Sequence, residues 1–350
     1  MRDFDYEWLS NKKWDNEIVN LVAKIREYKG RQDIFIRQKP KELTRLVEFA
    51  KIQSIGASNR IEGIATTRAR LEQLFHEKTT PKNRDENEII GYRDVLNTIH
   101  ESHDYIPIKP SYILQLHRDL MKGAGVSFAG KFKNVQNYIV EIRNGRAITR
   151  FTPLPPYETP DAIEAICEAY ERVRATEMVD ILLVIPAFIC DFLRIHPFND
   201  GNGRMSRLLT LLLLYQNGFE VGKYISIEKR IEDTKEYYYD ALEVSDIGWH
   251  KGENNVTPFV KYMLRVFLAC YIDFEDRVNI LNDNGVRSVA YDIVKRYVEN
   301  KLGKFTSNDV IMNCPSIRKS SALNALKTLL ERGMISRHGK GRSVYYSRTT

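Results

Sequence analysis

Cysteine is scarce. The four residues, Cys167, Cys190, Cys270 and Cys314, lie far apart and lack the short spacing of a metal knuckle. That excludes a disulfide framework and a zinc ribbon, and reads as buried thiols in a reducing compartment. Long apolar runs are missing too. The longest, residues 181–190 and 208–215, are too short to cross a bilayer. The acidic, aromatic residues 1–15 do not have the pattern of a signal peptide. A cytoplasmic protein with no membrane partner is expected. There is no internal repeat and no low-complexity tract. Basic excess is absent from most of the chain: residues 285–350 hold thirteen Lys/Arg against four acids, a net of +9. The first 284 residues therefore carry −2 of the overall +7. A nucleic-acid partner is a question for the C-terminal segment alone.

What is present is mostly helical pattern. Apolar residues recur at helical spacing over 16–28 (Ile18, Leu21, Val22, Ile25) and 41–55 (Leu43, Leu46, Val47, Ala50). Similar patterns cover 68–75, 85–100, 112–121, 161–173, 179–195 (with Pro186 as an expected kink), 203–218 and 256–281. Residues 137–151 differ. Tyr138, Val140 and Ile142 alternate, Asn144-Gly145 follows, and Ala147, Ile148 and Phe151 complete a hairpin signature. Asn282-Asp283-Asn284-Gly285 reads as a linker. Beyond it come three helices (287–300, 306–312, 316–332) and a basic hairpin turning at Gly339-Lys340-Gly341, the layout of a winged helix-turn-helix.

The densest chemistry lies in twelve residues, His196-Pro197-Phe198-Asn199-Asp200-Gly201-Asn202-Gly203-Arg204-Met205-Ser206-Arg207. Gly201 and Gly203 free the backbone to form a nest of N–H groups where a helix begins, and both nest and helix N-terminus attract anions. Arg204 and Arg207, at i and i+3, can face the same anion. Asp200 beside a phosphate cradle suits Mg²⁺, which takes one or two carboxylates plus phosphate oxygens. His196 can accept a proton from an incoming hydroxyl. Taken singly, the histidine could be structural, the glycines an interhelical turn and the arginines a solvated face. His196 and Asp200 could also be two ligands of a metal site, although no third is evident nearby.

The segment resembles the HPFx(D/E)GNGRxxR signature of the Fic (filamentation induced by cAMP) family at every fixed position. The resemblance implies a mainly α fold: a helical catalytic core with a small β-hairpin flap. It implies transfer of AMP from ATP to a Ser, Thr or Tyr hydroxyl of a target protein, with release of diphosphate. His196 would be the base and Asp200 the Mg²⁺ (or Mn²⁺) ligand. Gly201, Asn202 and Gly203 would hold the α- and β-phosphates, and Arg204 and Arg207 the β- and γ-phosphates, with Met205 and Ser206 part of the same nucleotide-binding stretch. Retention of Gly203 favours AMP transfer over the kinase-like branch. The hairpin, preceded by Gly130-Lys131-Phe132-Lys133, resembles the flap that docks a target by strand addition, though an ordinary surface hairpin would read alike. Tyr239, within Tyr237-Tyr238-Tyr239, resembles a tyrosine that borders the nucleotide.

Upstream, Ser58-Asn59-Arg60-Ile61-Glu62-Gly63 places Ser58 and Glu62 on one helix face, with Gly63 able to end the helix. Alone this is a short helix end. It is similar to the family's (S/T)xxxE(G/N) inhibitory motif, which implies that Glu62 pairs with Arg207, takes the γ-phosphate's partner and restrains self-AMPylation. The expected domains are an N-terminal helical region with the inhibitory helix at about 56–63 (1–100), the catalytic core (101–281) and the winged-helix domain (285–350). A homodimer is compatible with this class. The competing reading is a DNA-binding transcriptional regulator that uses the pocket as a nucleotide sensor. Ser316-Ile317-Arg318-Lys319-Ser320 would open its recognition helix, and Arg337, His338, Lys340 and Arg342 would form its wing tip.

Overall fold

The computed structural model describes residues 3–38, 40–143, 146–282, 289–301, 303–314, 319–339 and 344–349. Its elements begin with α1 (Trp8–Asn11), α2 (Asn16–Gln38), α3 (Pro40–Ile61), α4 (Arg68–Phe75), α5 (Arg84–Ser102) and α6 (Pro110–Met121). The hairpin β1 (Ile139–Arg143) and β2 (Arg146–Phe151) follows. Then come α7 (Thr159–Thr176), α8 (Ile181–Ile195), α9 (Asn202–Gln216), α10 (Ile227–Asp233), α11 (Lys235–Asp246) and α12 (Thr257–Asn282). The last elements are α13 (Val289–Asn300), α14 (Ser307–Asn313), α15 (Lys319–Glu331), β3 (Ile335–His338) and β4 (Tyr345–Arg348). The chain packs as two units, residues 1–29 with 50–271, and residues 30–49 with 272–350.

The first unit is built around α8 and α9. Every residue from 182 to 195 and from 204 to 215 is buried, and a helix apolar on all sides must lie at the centre. Asp180 starts α8 by accepting the Leu182 N–H at 2.9 Å. Pro186 lies inside the helix, where it has no N–H to give to the preceding turn. The buried Asp191 carboxylate receives Trp249 Nε1 at 2.7 Å and Tyr6 Oη at 3.1 Å, so its burial is matched by two donors. α5 and α7 pack against this pair.

Two expected helices are one. The apolar stripe of residues 41–55 and the helix expected at about 56–63 join in α3, which runs unbroken to Ile61. Space there is tight: a Cβ on Gly56 would fall 2.7 Å from Arg60 Nη1 and 2.9 Å from Leu71 Cδ2 of α4. β1 and β2 pair antiparallel, with Val140 opposite Thr149 and a bulge between Val140 and Ile139. Asn144 and Gly145, the expected turn, lie outside the described residues.

In the second unit α13, α14 and α15 share a core of Val294, Val298, Phe305, Val310, Leu326, Leu329 and Ile335. Thr306 and Asp309 form a capping box at the start of α14. β3 and β4 pair antiparallel, and Phe305 exchanges two main-chain bonds with Tyr346 at 2.9 and 2.7 Å. The order of three helices and a hairpin is as expected. Asp283, Asn284 and Gly285, Ser316, Ile317 and Arg318, and Lys340, Gly341 and Arg342 lie outside the described residues. Among the described residues no helix is long and apolar enough to cross a membrane. All four cysteines are buried and none forms a disulfide.

Candidate active site

α8 ends and α9 begins on either side of the glycine-rich segment, so two buried helices fix its ends. His196 closes α8 in the left-handed conformation (φ +50°, ψ +63°), its N–H bonded to Phe192 O at 2.9 Å. Its Nδ1 lies 3.2 Å from Leu193 O. A carbonyl can only accept, so the ring proton sits on Nδ1 and Nε2 keeps its lone pair. Burial, helped by nearby Lys133 and opposed by the Leu193 carbonyl, Glu62 and Asp200, pushes the imidazole pKa down to about 4. The ring is therefore neutral at physiological pH.

Gly201 is the N-cap of α9 at φ +84°, and no side chain caps the helix. The leading N–H groups of a helix have no partner within it, so this end offers bare donors and a positive dipole. Glu62 stands over that end. A methyl group on Gly203 would fall 2.2 Å from Glu62 Oε1. Glu62 follows the last residue of α3, and its Oε1 accepts from Arg207 Nη2 at 2.7 Å. Arg207 Nε and Nη2 also donate to Ser58 Oγ at 2.8 Å and to Ser58 O at 3.0 Å. Burial works against the arginine's charge, but the Glu62 carboxylate, with Tyr238 and Tyr92, outweighs it and raises the pKa above the ordinary value. Gly63 turns the chain away at φ +81°.

Ser58, Glu62, Gly203, Arg207 and His196 thus converge. Glu62, His196, Gly203, Arg207 and Tyr239 line one cavity of about 470 Å³. Tyr239 is held between the cations of Arg150 (5.8 Å from its ring centre) and Lys235 (5.7 Å). Other motif side chains face inward. Asn202 Nδ2 and Oδ1 bond Phe198 O and N at 2.7 and 2.9 Å, stapling the loop, so the amide is not turned to the cavity. Ser206 Oγ donates to Gly203 O at 2.8 Å, and Met205 is fully buried. Arg204, 1% exposed, is paired with Glu88 and lies 3.4 Å from Asp200 Oδ1. Asp200 also faces Arg84 at 3.2 Å and accepts the Gly201 N–H at 2.6 Å.

Several participants carry no sequence signal. Glu88 joins Arg84 (2.7 Å) to Arg204. His117 stacks on Phe198 at 3.7 Å between ring centres. Its Nδ1 accepts the Gly130 N–H at 3.0 Å, so Nε2 carries the proton toward Asp200 O at 3.1 Å. Burial lowers its pKa to about 4. At the far end of the cavity Arg194 and Arg150 bracket Asp246 at 2.7 and 3.6 Å. Arg150 Nε and Asp246 Oδ2 are buried without a hydrogen-bond partner. An acceptor and a donor stand ready there for a ligand edge.

Residues 107–214 match the model of the Fic/DOC family. The segment covers α6 through most of α9 and holds the whole glycine-rich motif. Protein adenylyltransferase fic-1 of Caenorhabditis elegans is 28% identical over 187 residues, 52% of this chain and 32% of that protein. Protein adenylyltransferase Fic of Aedes aegypti is 29% identical over 233 residues, 63% of this chain and 41% of that protein. The chain thus spans a third to under half the length of these relatives. A crystal structure of a Fic family protein from Desulfovibrio desulfuricans G20 superposes with a TM-score of 0.63 over 97% of both chains at 23% identity. A Fic-1 structure from Caenorhabditis elegans gives 0.58 over 75% of this chain and 73% of that one, at 19% identity. These two structures establish a Fic-type fold.

Proposed function

We propose that the protein is an adenylyltransferase that moves AMP from ATP to a hydroxyl of a target protein, itself included, and that Glu62 holds it in check. The observation that carries this reading is the Glu62–Arg207 pair lying over Gly203, at the donor-rich end of α9, in the cavity lined by His196. The target oxygen attacks the α-phosphorus, the α–β phosphoanhydride bond breaks and diphosphate leaves. His196 Nε2 takes the hydroxyl proton. The α9 N-terminus and Arg207 hold phosphate charge. Glu62 occupies part of that ground and leaves the α-phosphate out of line for attack, where about 1 Å of misplacement costs roughly 100-fold. The adenine lies between Tyr239 and Asp246, whose Oδ2, ion-paired with Arg150 at 3.6 Å but without a hydrogen bond, can accept an amino hydrogen while Arg150 Nε donates to a ring nitrogen.

Asp200 is the residue that would hold Mg²⁺ or Mn²⁺. Among the described residues no group of three or more His, Cys, Asp or Glu could bind a metal ion. Both Asp200 oxygens are engaged, Oδ1 by the Gly201 N–H and Arg204 and Oδ2 by Arg84, so an ion there would displace an arginine and complete its shell with phosphate oxygens and water. Such an ion would supply charge neutralisation on the leaving diphosphate.

Labelling with α-³²P ATP tests the reading. Glu62→Gly should raise self-labelling about 100-fold, and His196→Ala in that background should abolish it. Labelling that survives His196→Ala would overturn the mechanism. For residues 285–350 we propose a winged helix that docks on nucleic acid, supported by the basic excess and by exposed Arg337 and His338 at the end of β3. Full-chain binding to duplex DNA should weaken steeply with salt; no binding at low salt would assign the module to protein docking.

A further inference from the structure

His196 adopts a backbone conformation that a residue with a Cβ resists. At φ +50° it lies in the left-handed region, where Cβ crowds the following carbonyl. Such a residue stays there only when its surroundings over-determine it. Four successive carbonyls around the turn show what does so. Ile195 O accepts from Lys133 Nζ at 2.9 Å. His196 O accepts from Asn137 Nδ2 at 3.2 Å. Pro197 O accepts the Lys133 main-chain N–H at 2.8 Å. Phe198 O accepts from Asn137 Nδ2 at 3.0 Å as well as from Asn202.

Lys133 Nζ also donates to Asn137 Oδ1 at 3.0 Å, which makes the two side chains one unit. They belong to the stretch that leads into β1. Gln136 ties that stretch to the other foot of the hairpin, donating to Asn137 O at 2.9 Å and to Pro153 O at 3.1 Å. Lys133 is 3% exposed, and burial alone lowers its pKa to about 8. Its hydrogen bonds go to neutral oxygens, and a neutral amine still has N–H groups to give. The clamp therefore does not depend on the charge of the lysine.

We propose that Lys133 and Asn137 are positioning residues, which grip the main chain of residues 195–198 from the base of the hairpin and so aim the His196 imidazole into the cavity. A target strand laid on β1–β2 would then pull on the same four carbonyls. The inference rests on the reading of His196 as the base. A mere fold staple would lower stability and leave the balance of kcat and KM alone. Neither residue lines the nucleotide cavity, so an aiming role should reduce kcat and spare KM for ATP.

The test uses the full chain in the Glu62→Gly background, with kinetics and ¹⁵N-histidine NMR. Lys133→Met and the isosteric Asn137→Asp should each lower kcat by roughly 10- to 100-fold, with KM for ATP within about twofold. In both, the His196 ring should lose its single Nδ1–H tautomer. Lys133→Arg, which keeps a donor toward Ile195 O, should recover part of the rate. Should Lys133→Met fail to fold, Asn137→Asp decides. Unchanged kcat and an unchanged tautomer in either folded variant would overturn the proposal. So would a kcat loss matched by a rise in KM with the tautomer intact. If Glu62→Gly transfers no AMP at all, the function proposed above fails, and the tautomer still decides whether the clamp orients His196.

Discussion

Gly203 shows how one missing Cβ can serve two purposes. It leaves the α9 N-terminus open to an anion and makes room for the Glu62 carboxylate, whose Oε1 would otherwise meet a methyl group at 2.2 Å. The two roles separate in a double-mutant cycle. Gly203→Ala should destabilise the resting protein by about 1–3 kcal/mol, the cost of overpacking. In the Glu62→Gly background the loss should nearly vanish, and thermal unfolding of the four proteins measures the difference. His196 makes a second prediction at this scale. With its pKa held to about 4 by burial, the base stays unprotonated far below the usual 6.5. The acidic limb of kcat/KM should therefore fall near pH 4 if this histidine sets it; a limb near 6.5 would show that another group does. The grouping of His196, Asp200 and Arg207 was legible from their order and spacing, whereas Glu62 was singled out only by the family resemblance. Asn202, Ser206 and Arg204 were legible only as members of the motif. Which way their side chains turn depends on Phe198, Gly203 and Glu88, and no spacing rule reports on that.

Among the elements, the end of α3 is fastened from outside. Arg60 grips Glu232 through Nε and Nη2 at 2.6 and 3.0 Å, and Lys235 Nζ caps Ile61 O at 2.7 Å. These contacts hold the stretch that presents Ser58 and Glu62. Arg60 is partly exposed, so its ion pair contributes about 0.2–1 kcal/mol. Arg60→Ala should accordingly raise basal self-labelling by no more than about fivefold, and a larger rise would mean the whole end of α3 had come loose. The Gly56 case explains why helix ends were harder to read than helix existence. Residues 41–55 and about 56–63 read as two helices, and only the approach of Leu71 of α4 shows why a glycine stands at their join inside one helix. Likewise Lys133 and Asn137 precede a legible hairpin, but their partners lie about sixty residues further along the chain, beyond any periodicity.

At the scale of the molecule, the first unit holds three histidines, one buried and two partly buried, in neutral form. His100, His117 and His196 all have pKa values lowered chiefly by desolvation. In the unfolded chain each titrates near 6.5. Below that pH the unfolded state takes up protons that the fold refuses, so stability falls as pH drops from about 6.5 toward 4. Thermal midpoints across that window should decline, and His117→Asn should flatten the slope if it folds. The Glu62–Arg207 pair also bears on which nucleotide the resting protein can tell apart. With Arg207 already neutralised, a third phosphate adds little, so ADP and ATP should bind the resting protein with similar affinity. Removal of the Glu62 carboxylate should restore a preference for the triphosphate. Calorimetric titration of the two ligands would then read the inhibitory contact as a loss of nucleotide discrimination, with no turnover required.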